Sequence, residues 1–564
     1  MSEVEKGSVK SWGGKGTVSP GQGMYLAYRN ANPGLFGAGS NFLVPRISGA
    51  AIETIRERKH AVANARRVDR NTPMIKAGIS KRAVNTVGAD LKLKVVPNWK
   101  ALGLDNKRGP EFAAWLASEV EPRFEEWAND PRLLQDASRQ GTFGANMLLA
   151  ARNAFGAEGE CFIVSRYSNK RRRKYRGKYC TFIEVIDTDR LTTPNNKQDD
   201  IKNIISGKVL DEWGATVGFY VQKTHPSETN GSTPDWDYVP REDKYGRPIG
   251  IHWFFRSRAG AQRGMPAIIA SLRNVKMLEE FDDAVLETAV INAVLSIFIE
   301  TESTSQEMLK KLTAAPSSGK NGVQDLWEKR FDFYEDAALQ ANGVRIPVLP
   351  PGDKIHMETA NRASDSTADF RVHFNRAFAS ELNLNYEMFS SDYSETTFSS
   401  ARAALIDIWR MVDADRTLFT RHVAAQIYCG FLEELIVREV IVLDDDLPDF
   451  WENMAAYCGC EFMGPGKGWV DPKKDIDAVG ARITHAMGNY DKEAAEQGSD
   501  FYANIDAIAQ AHDYARERGV ALPTMYEIQE ANYAKEREAS PSDPDDGDED
   551  GDGREGRKRT GSNV

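Results

Sequence analysis

No stretch of this 564-residue sequence is apolar for long enough to cross a bilayer. The most apolar run, Ala289 to Ile299, is far short of the ~20 residues a spanning helix needs. The first residues, MSEVEKGSVKSWGG, lack the apolar centre of a signal peptide. Cysteine is scarce: Cys161, Cys180, Cys429, Cys458 and Cys460 are odd in number and scattered. That argues against a disulfide framework and fits a reducing compartment. Cys458 and Cys460 lack a second pair or a nearby histidine, so no zinc site is expected. Lys15, Lys178, Lys208, Lys320 and Lys467 each follow a glycine, yet none completes a phosphate loop. Neither a G-x-S-x-G elbow nor an H-E-x-x-H pair occurs. The eight histidines are dispersed, and His373 and His422 read as core or interface residues on helices. The expectation is a soluble cytoplasmic protein with no catalytic residue, no metal, no cofactor and no membrane partner. A nuclease built from carboxylates that converge only in space stays open as an alternative.

The apolar fraction is 41% and the aromatic fraction 10%, ordinary for a globular core, and the length suits two to four domains. The net charge of −11 is unevenly placed. From Ser540 onward eight acids (Asp543, Asp545, Asp546, Asp548, Glu549, Asp550, Asp552, Glu555) face four bases (Arg554, Arg557, Lys558, Arg559). This reads as a disordered acidic tail. Asp546, Asp548, Asp550 and Gly551 match half of a calcium loop, but Arg557 stands where its closing glutamate belongs, so calcium is rejected.

Taken in order, residues 1–45 are rich in Gly, Ser and Asn and read as an extended arm. A helical stretch from about Ile47 to Thr86 is interrupted near Pro73. Leu91–Pro97 alternates like a strand, and Glu111–Asn129 is an amphipathic helix. Asp130-Pro131 reads as a cap opening another helix towards Phe155. Strands are expected at 161–167, 179–187, 216–225 and 251–256. The basic run Lys170, Arg171, Arg172, Arg173, Lys174 falls in the turn between the first two of these. It is read as a solvated tip or as a contact for nucleic acid or a partner protein. A helix without internal Pro or Gly is expected from Gly264-Met265-Pro266 to about Glu302. Two short helices (305–314 and 324–331) and strand-like pieces up to Gly352 form an insert. A further helix runs from about Ser364 to Leu382, one of some 40 residues from Ser399 to Glu439, and two or three more (473–488, 490–498 and 500–518) end the folded part near Tyr533.

Two surfaces lack positive charge altogether. Between Met277 and Met308 there is no Lys or Arg, and Glu279, Glu280, Asp282, Asp283 and Glu287 make one face acidic. Two readings stay open for these acids: an ordinary surface helix, or a surface that repels an anion. The loop from Asn383 to Ser400, between two strong helices, also has no base. Its length marks it as functional. It is polar and aromatic, with Asn385, Tyr386, Glu387, Phe389, Asp392, Tyr393, Ser394 and Phe398 along it.

Several of these segments carry a resemblance. Arg70-Asn71-Thr72-Pro73 with Val87-Gly88, then Gly159-Glu160-Cys161-Phe162-Ile163, then Gln262-Arg263-Gly264-Met265-Pro266 follow a known order. So do Asn383 to Glu387 with Asp392-Tyr393-Ser394 and Phe398 to Arg402, and finally Gly468-Trp469-Val470-Asp471-Pro472-Lys473-Lys474. Together, over roughly residues 45–520, they resemble the lambda-like family of tailed-bacteriophage portal proteins. Asn383 to Asn385 depart from the family's usual Gly-Val-Pro, and the basic run is not part of the pattern.

The resemblance implies an α+β portal fold: an α/β wing, long antiparallel stem helices, a small α/β clip, a helical crown and a disordered acidic tail. The implied boundaries are an arm at 1–45, wing 46–263, stem helix 264–302, clip 303–361, stem helix 362–382, tunnel loop 383–398, long wing helix and return 399–472, crown 473–535 and tail 536–564. The implied function is a homo-oligomeric ring, dodecameric in the family, at the unique capsid vertex. It would conduct double-stranded DNA during packaging and ejection, with Asn385, Tyr386, Glu387, Phe389, Asp392, Tyr393 and Ser394 of the tunnel loop at the channel and Tyr386, Phe389, Tyr393 and Phe398 packing the loops of adjacent subunits together. In such a ring the acids Glu279, Glu280, Asp282, Asp283 and Glu287 would either face the channel or pair across subunit interfaces with Arg371 and Arg376. The ring would dock terminase, major capsid or scaffold protein, and head-completion and tail proteins. The implied location is the virion, with assembly in the host cytoplasm. A non-portal head–tail adaptor remains the other alternative. Neither the ring's copy number nor the fate of the arm follows from the sequence.

Overall fold

The computed structural model describes residues 48–195, 197, 199, 203–228, 233–295, 298–301, 353–356, 364–394, 396–468, 472–523 and 527. The expected arm, most of the insert, residues 469–471 and the acidic tail lie outside them. The chain divides into two compact units, Met1–Asp475 and Ile476–Val564.

In the first unit, α1 (Ala50–Asn71) and α2 (Pro73–Thr86) meet at Thr72, with Pro73 at the first helical position where its missing N–H costs nothing. Strand β1 (Lys92–Val95) follows, then α3 (Arg108–Ala128) and α4 (Phe143–Phe155). The helix expected from Asp130 does not form there. The Asp130 carboxylate accepts from the Arg132 backbone N–H, and Asp136 accepts from the N–H groups of Ser138, Gln140 and Gly141. Such local bonds favour turns over helix. The helix starts only where Thr142 caps it, accepting from the Ala145 N–H.

Strand β2 (Glu160–Tyr167) leads through α5 (Asn169–Tyr175) to β3 (Thr181–Ile186). Short strands β4 (Ile204–Ile205) and β5 (Lys208–Leu210) precede β6 (Thr216–Gln222), β7 (Trp236–Pro240) and β8 (Gly250–Phe254). Two antiparallel sheets result, ordered β3-β2-β8 and β4-β5-β6-β7. All the expected strands of this region form: β2 and β8 begin one residue earlier than expected, β3 is shorter at both ends, and β6 and β8 stop short of their expected ends.

Helix α6 spans Leu272–Leu295, shorter at both ends than expected. Its start is delayed because residues 264–271 are pinned to β2. A Cβ on Gly264 would lie 2.1 Å from the Gly159 carbonyl, and one on Gly159 would lie 1.9 Å from that of Met265. Two glycines back to back therefore allow the approach. Beyond α6, β9 (Phe298–Thr301) pairs antiparallel with β10 (Asp353–His356). Helices α7 (Ser364–Glu381), α8 (Tyr386–Ser390) and α9 (Phe398–Phe419) follow. A π turn, Thr420–Ala424, joins α9 to α10 (Ala425–Val437) without a break, so the long helix expected from Ser399 is present with one wide turn inside it. Short α11 (Met454–Tyr457) and β11 (Cys460–Met463), which pairs antiparallel with β1, complete this unit up to α12 (Pro472–Thr484). The second unit holds the rest of α12, then α13 (Tyr490–Glu496) and α14 (Phe501–Glu517), capped by Asn489 and Asp500.

Two large cores form in the first unit. One joins α3, α4, the central sheet and the π turn with α10 around Phe124, Phe143, Phe155, Tyr428 and Phe431. The other joins α1, α2, α6, α7 and α8 through Val68, Ile75, Ile79, Val275, Phe378, Leu382 and Phe389.

Between the sheet and α1 lies a buried ionic cluster. Glu160 is fully buried and takes bonds from Arg263 (2.6 Å), Arg58 (2.8 Å) and the Gly264 N–H (2.8 Å). Its burial opposes charge, but Arg263 and Arg58 hold it well below the ordinary carboxylate range. His252, opposite Phe162 on β8, lies 3.2 Å from Glu160 through Nε2. Burial pulls His252 down to about 4 despite that carboxylate. At neutral pH it is therefore uncharged and donates from Nε2, with Nδ1 left bare. An unfolded imidazole takes up a proton below its ordinary pKa of about 6.5, whereas the folded one refuses it until about 4. Stability should fall as pH drops through that window, by roughly 3 kcal/mol for this group. Thermal unfolding followed from pH 7 to 4 should show a shallower acid limb in His252→Gln than in the parent.

Candidate functional site

The base-free acidic face and the base-free loop meet in one part of the first unit, on α6, α7 and α8. Helices α6 and α7 pack through stacked rings, Phe281 on Phe370 at 5.4 Å. The aromatic row continues along α7 at four-residue spacing, Phe374 on Phe378 at 6.3 Å, and reaches Phe389 on α8 at 6.5 Å. The spacing read from the sequence thus becomes a ladder joining the helix pair to the loop.

The acidic face divides in two. Glu279 bonds to Arg67 of α1 (3.3 Å) and to the Thr72 hydroxyl (3.3 Å), and Glu280 pairs with Lys276 one turn earlier (3.5 Å). Asp282 accepts from Arg371 of α7 (2.9 Å). That pair lies within one chain. Arg376 lies over the Tyr386 ring, 5.5 Å from its centre. Asp283 and Glu287 are exposed and have no ion-pair partner among the described residues.

The loop is less open than its sequence suggests. Asn385 caps α8, accepting from the Met388 N–H (3.0 Å). Phe389 is 1% exposed, inside the second core, so it packs within its own chain and is not free to join adjacent loops. Gly78 of α2 makes room: a Cβ there would lie 2.6 Å from the Phe389 ring. Lys81 of α2 donates to the carbonyls of Met388 (2.7 Å) and Phe389 (3.3 Å) and to the Ser391 hydroxyl (2.6 Å). A cation therefore closes the C-terminal end of α8, where the helix dipole favours one. Nothing in the loop's own sequence announces it, since Lys81 is some 300 positions away. Past Ser391 the loop is exposed: Asp392 accepts from the Ser394 N–H and hydroxyl, and Tyr393 is 60% exposed. Those bonds from Ser394 lower the Asp392 pKa, so the exposed strip stays anionic. Glu387 sits on α8 and is partly exposed, while Phe398 opens α9.

The departures from the family pattern have a simple reading here. Asn383 adopts a left-handed φ of 55°, which asparagine tolerates as glycine does. Asn385, in the proline's place, supplies the cap instead.

The basic run is not at a turn tip. Lys170 to Lys174 lie on α5, capped by the Ser168 hydroxyl. Three of the five cysteines also fall close together, with Cys429 Sγ 2.8 Å from Cys458 Sγ and Cys460 two residues on. Among the described residues, a possible metal-holding group is Asp187, Asp189 and His225, and the Arg66 guanidinium already bonds both of its acids. No helix among them is long and apolar enough to cross a membrane.

Motifs far apart in the chain converge. Gly159-Glu160 and Arg263-Gly264 form one buried cluster, the Gly88 of Val87-Gly88 abuts Pro465, and Arg402 pairs with Asp475 (2.9 Å). The family model for phage portal proteins of the lambda family matches residues 41–416. The chain belongs to that family. Its function is accordingly that of a portal protein. Family relatives include portal protein B of Escherichia phage lambda, 28% identical over 447 residues, covering 78% of this chain and 81% of the relative. The portal protein of Escherichia phage N15 is 27% identical over 445 residues, with the same coverage. Chains in the neck of a native GTA particle computed with C12 symmetry, and in the virion of a native gene transfer agent particle, align over 78% of this portal chain and 93% of their own length. Their identities are 12% and 14%, each with a TM-score of 0.40.

Proposed function

We propose that copies of this portal chain close a ring at one capsid vertex and that α6, α7 and the exposed strip after Ser391 border a channel for double-stranded DNA. In this reading α6 and α7 are the stem, residues 46–263 and the long helix from Phe398 the wing, residues 303–361 the clip, and the helices after Pro472 the crown. The ring assembles in the host cytoplasm, remains in the virion and docks terminase, scaffold or capsid protein, and head-completion and tail proteins.

The observation that carries the channel reading is the state of the charges. Duplex DNA is held by Lys and Arg that displace counterions. A conduit must let it slide. On α6 and α7 the nearby cations Arg67, Lys276, Arg371 and Arg376 are each engaged by an acid or a ring. Among the described residues Asp283 and Glu287 stand exposed without an ion-pair partner. Native mass and negative-stain images of the full-length protein should show a closed ring with a hole that admits a duplex. A stable monomer that degrades DNA with Mg²⁺ would sink this reading in favour of a nuclease. In rings of Asp283→Lys/Glu287→Lys, in vitro packaging should drop at least tenfold while ring assembly is retained. Full packaging by those rings would show that these acids do not line the channel.

A further inference from the structure

A strongly positive surface lies on α5, a different element from the acidic α6 and its partner α7. We propose that α5 is a second, sequence-independent contact for the phosphate backbone of duplex DNA, distinct from the acidic helix pair. The inference rests on the reading of this chain as a DNA-handling portal.

One of the cations, Arg171, builds the platform. Arg171 donates to the carbonyls of Asp136 (2.6 Å) and Ala137 (3.3 Å), and its guanidinium lies 4.5 Å from the Phe182 ring centre. Arg171 thus ties α5 to the loop before α4. The Tyr175 ring lies within 5.0–5.3 Å of Arg139, Arg171 and Lys174, so one π face offsets the repulsion of three neighbouring cations.

The rest face outward. Lys170, Arg173, Lys174 and Arg176 are exposed and have no carboxylate partner among the described residues. Arg172 donates to the neutral Asn169 side chain (3.0 Å). Lys170 and Lys174 sit four residues apart, where like charges on a helix repel. A bound polyanion relieves that repulsion.

The chemistry of the surface selects the partner. A protein interface centres on apolar or aromatic anchors ringed by charge. Helix α5 exposes Asn, Lys and Arg, and its one aromatic, Tyr175, is half-buried under cations. No group is arranged to read base edges. Seven helical residues span about 10 Å, the rise of roughly three phosphates along one strand. Charge without an apolar centre suits a backbone that is itself charge without sequence.

The test uses the full-length protein and Lys170→Ala/Arg173→Ala/Lys174→Ala, which leaves Arg171, Arg172 and Tyr175 in place. Binding of two short duplexes of unrelated sequence is followed by fluorescence anisotropy across a salt series, with thermal unfolding as the check on folding. The triple variant should unfold like the parent, and the slope of log affinity against log salt should shrink by about 2–3, equally for both duplexes. An unchanged slope overturns the proposal. So does preferential capture of polyglutamate over duplex, lost in the variant, which would make α5 a dock for an acidic protein. Imaging both proteins separates this inference from the portal reading: rings with an unchanged slope sink only the α5 contact, and absent rings sink only the channel.

Discussion

Glu160→Ala should cost the first unit about 3–5 kcal/mol, the range found when one partner of a buried ion pair is removed. The reason lies in what it leaves behind. Arg58 and Arg263 are both buried, and Arg263 alone contacts Glu160 through Nε and Nη2. Without the carboxylate, two buried guanidiniums repel each other with only the more distant Glu158 and Asp189 acting on Arg58, and the Gly264 N–H loses its acceptor. Glu160→Gln keeps the volume and one acceptor and should still lose most of this stability. Adding Arg263→Met to Glu160→Ala should recover part of it, because one stranded charge is gone. Urea unfolding at fixed protein concentration, read by tryptophan fluorescence, measures all three. A midpoint for Glu160→Ala within experimental error of the parent would show that the cluster contributes nothing. The cluster also links α1, β2 and the segment that leads into α6, so a local exposure there should loosen the base of the helix pair.

Phe389→Ala should destabilise by about 3–5 kcal/mol, the usual loss for a buried phenylalanine. Tyr393→Ala, four residues on, should change stability by no more than about 0.5 kcal/mol, as for exposed positions. The contrast follows from one loop having two parts. Phe389 fills the space over Gly78 and touches Phe378, whereas Tyr393 stands in solvent. Chemical denaturation of both variants decides it. Equal effects would mean that the short helix α8 does not dock on α2. If Tyr393 joins neighbouring subunits instead, Tyr393→Ala should weaken ring assembly while leaving the unfolding midpoint alone.

Much of the architecture was legible in local patterns. Strand-forming runs bounded by turn residues located β2, β3, β6 and β8, alternation located β1, and an unbroken apolar stripe located the 40-residue helix from Phe398 to Val437. Side-chain period reports which face is buried, so it finds elements well. It does not report where a helix must yield to something else. The helix expected from Asp130 lost to side-chain bonds within its own turns. The start of α6 was delayed by a contact between glycines more than a hundred residues apart. The π turn at Thr420 left no mark in the stripe.

The candidate site divides in the same way. By itself the sequence determined that α6 carries an acidic face, that the loop after Asn383 contains no base, that five cations cluster at 170–174, and, through its ordered motifs, which family the chain belongs to. Only the tertiary structure decided which of those charges remain free. Asp282 is answered by Arg371, Glu279 by Arg67, the base-free loop by Lys81, and Arg171 by backbone carbonyls, while Asp283, Glu287, Lys170 and Arg173 stay exposed without a partner of opposite charge among the described residues. The physical reason is range. A charge acts over a few ångströms of space, and the partners that neutralise it are brought there by folding from positions tens to hundreds of residues away.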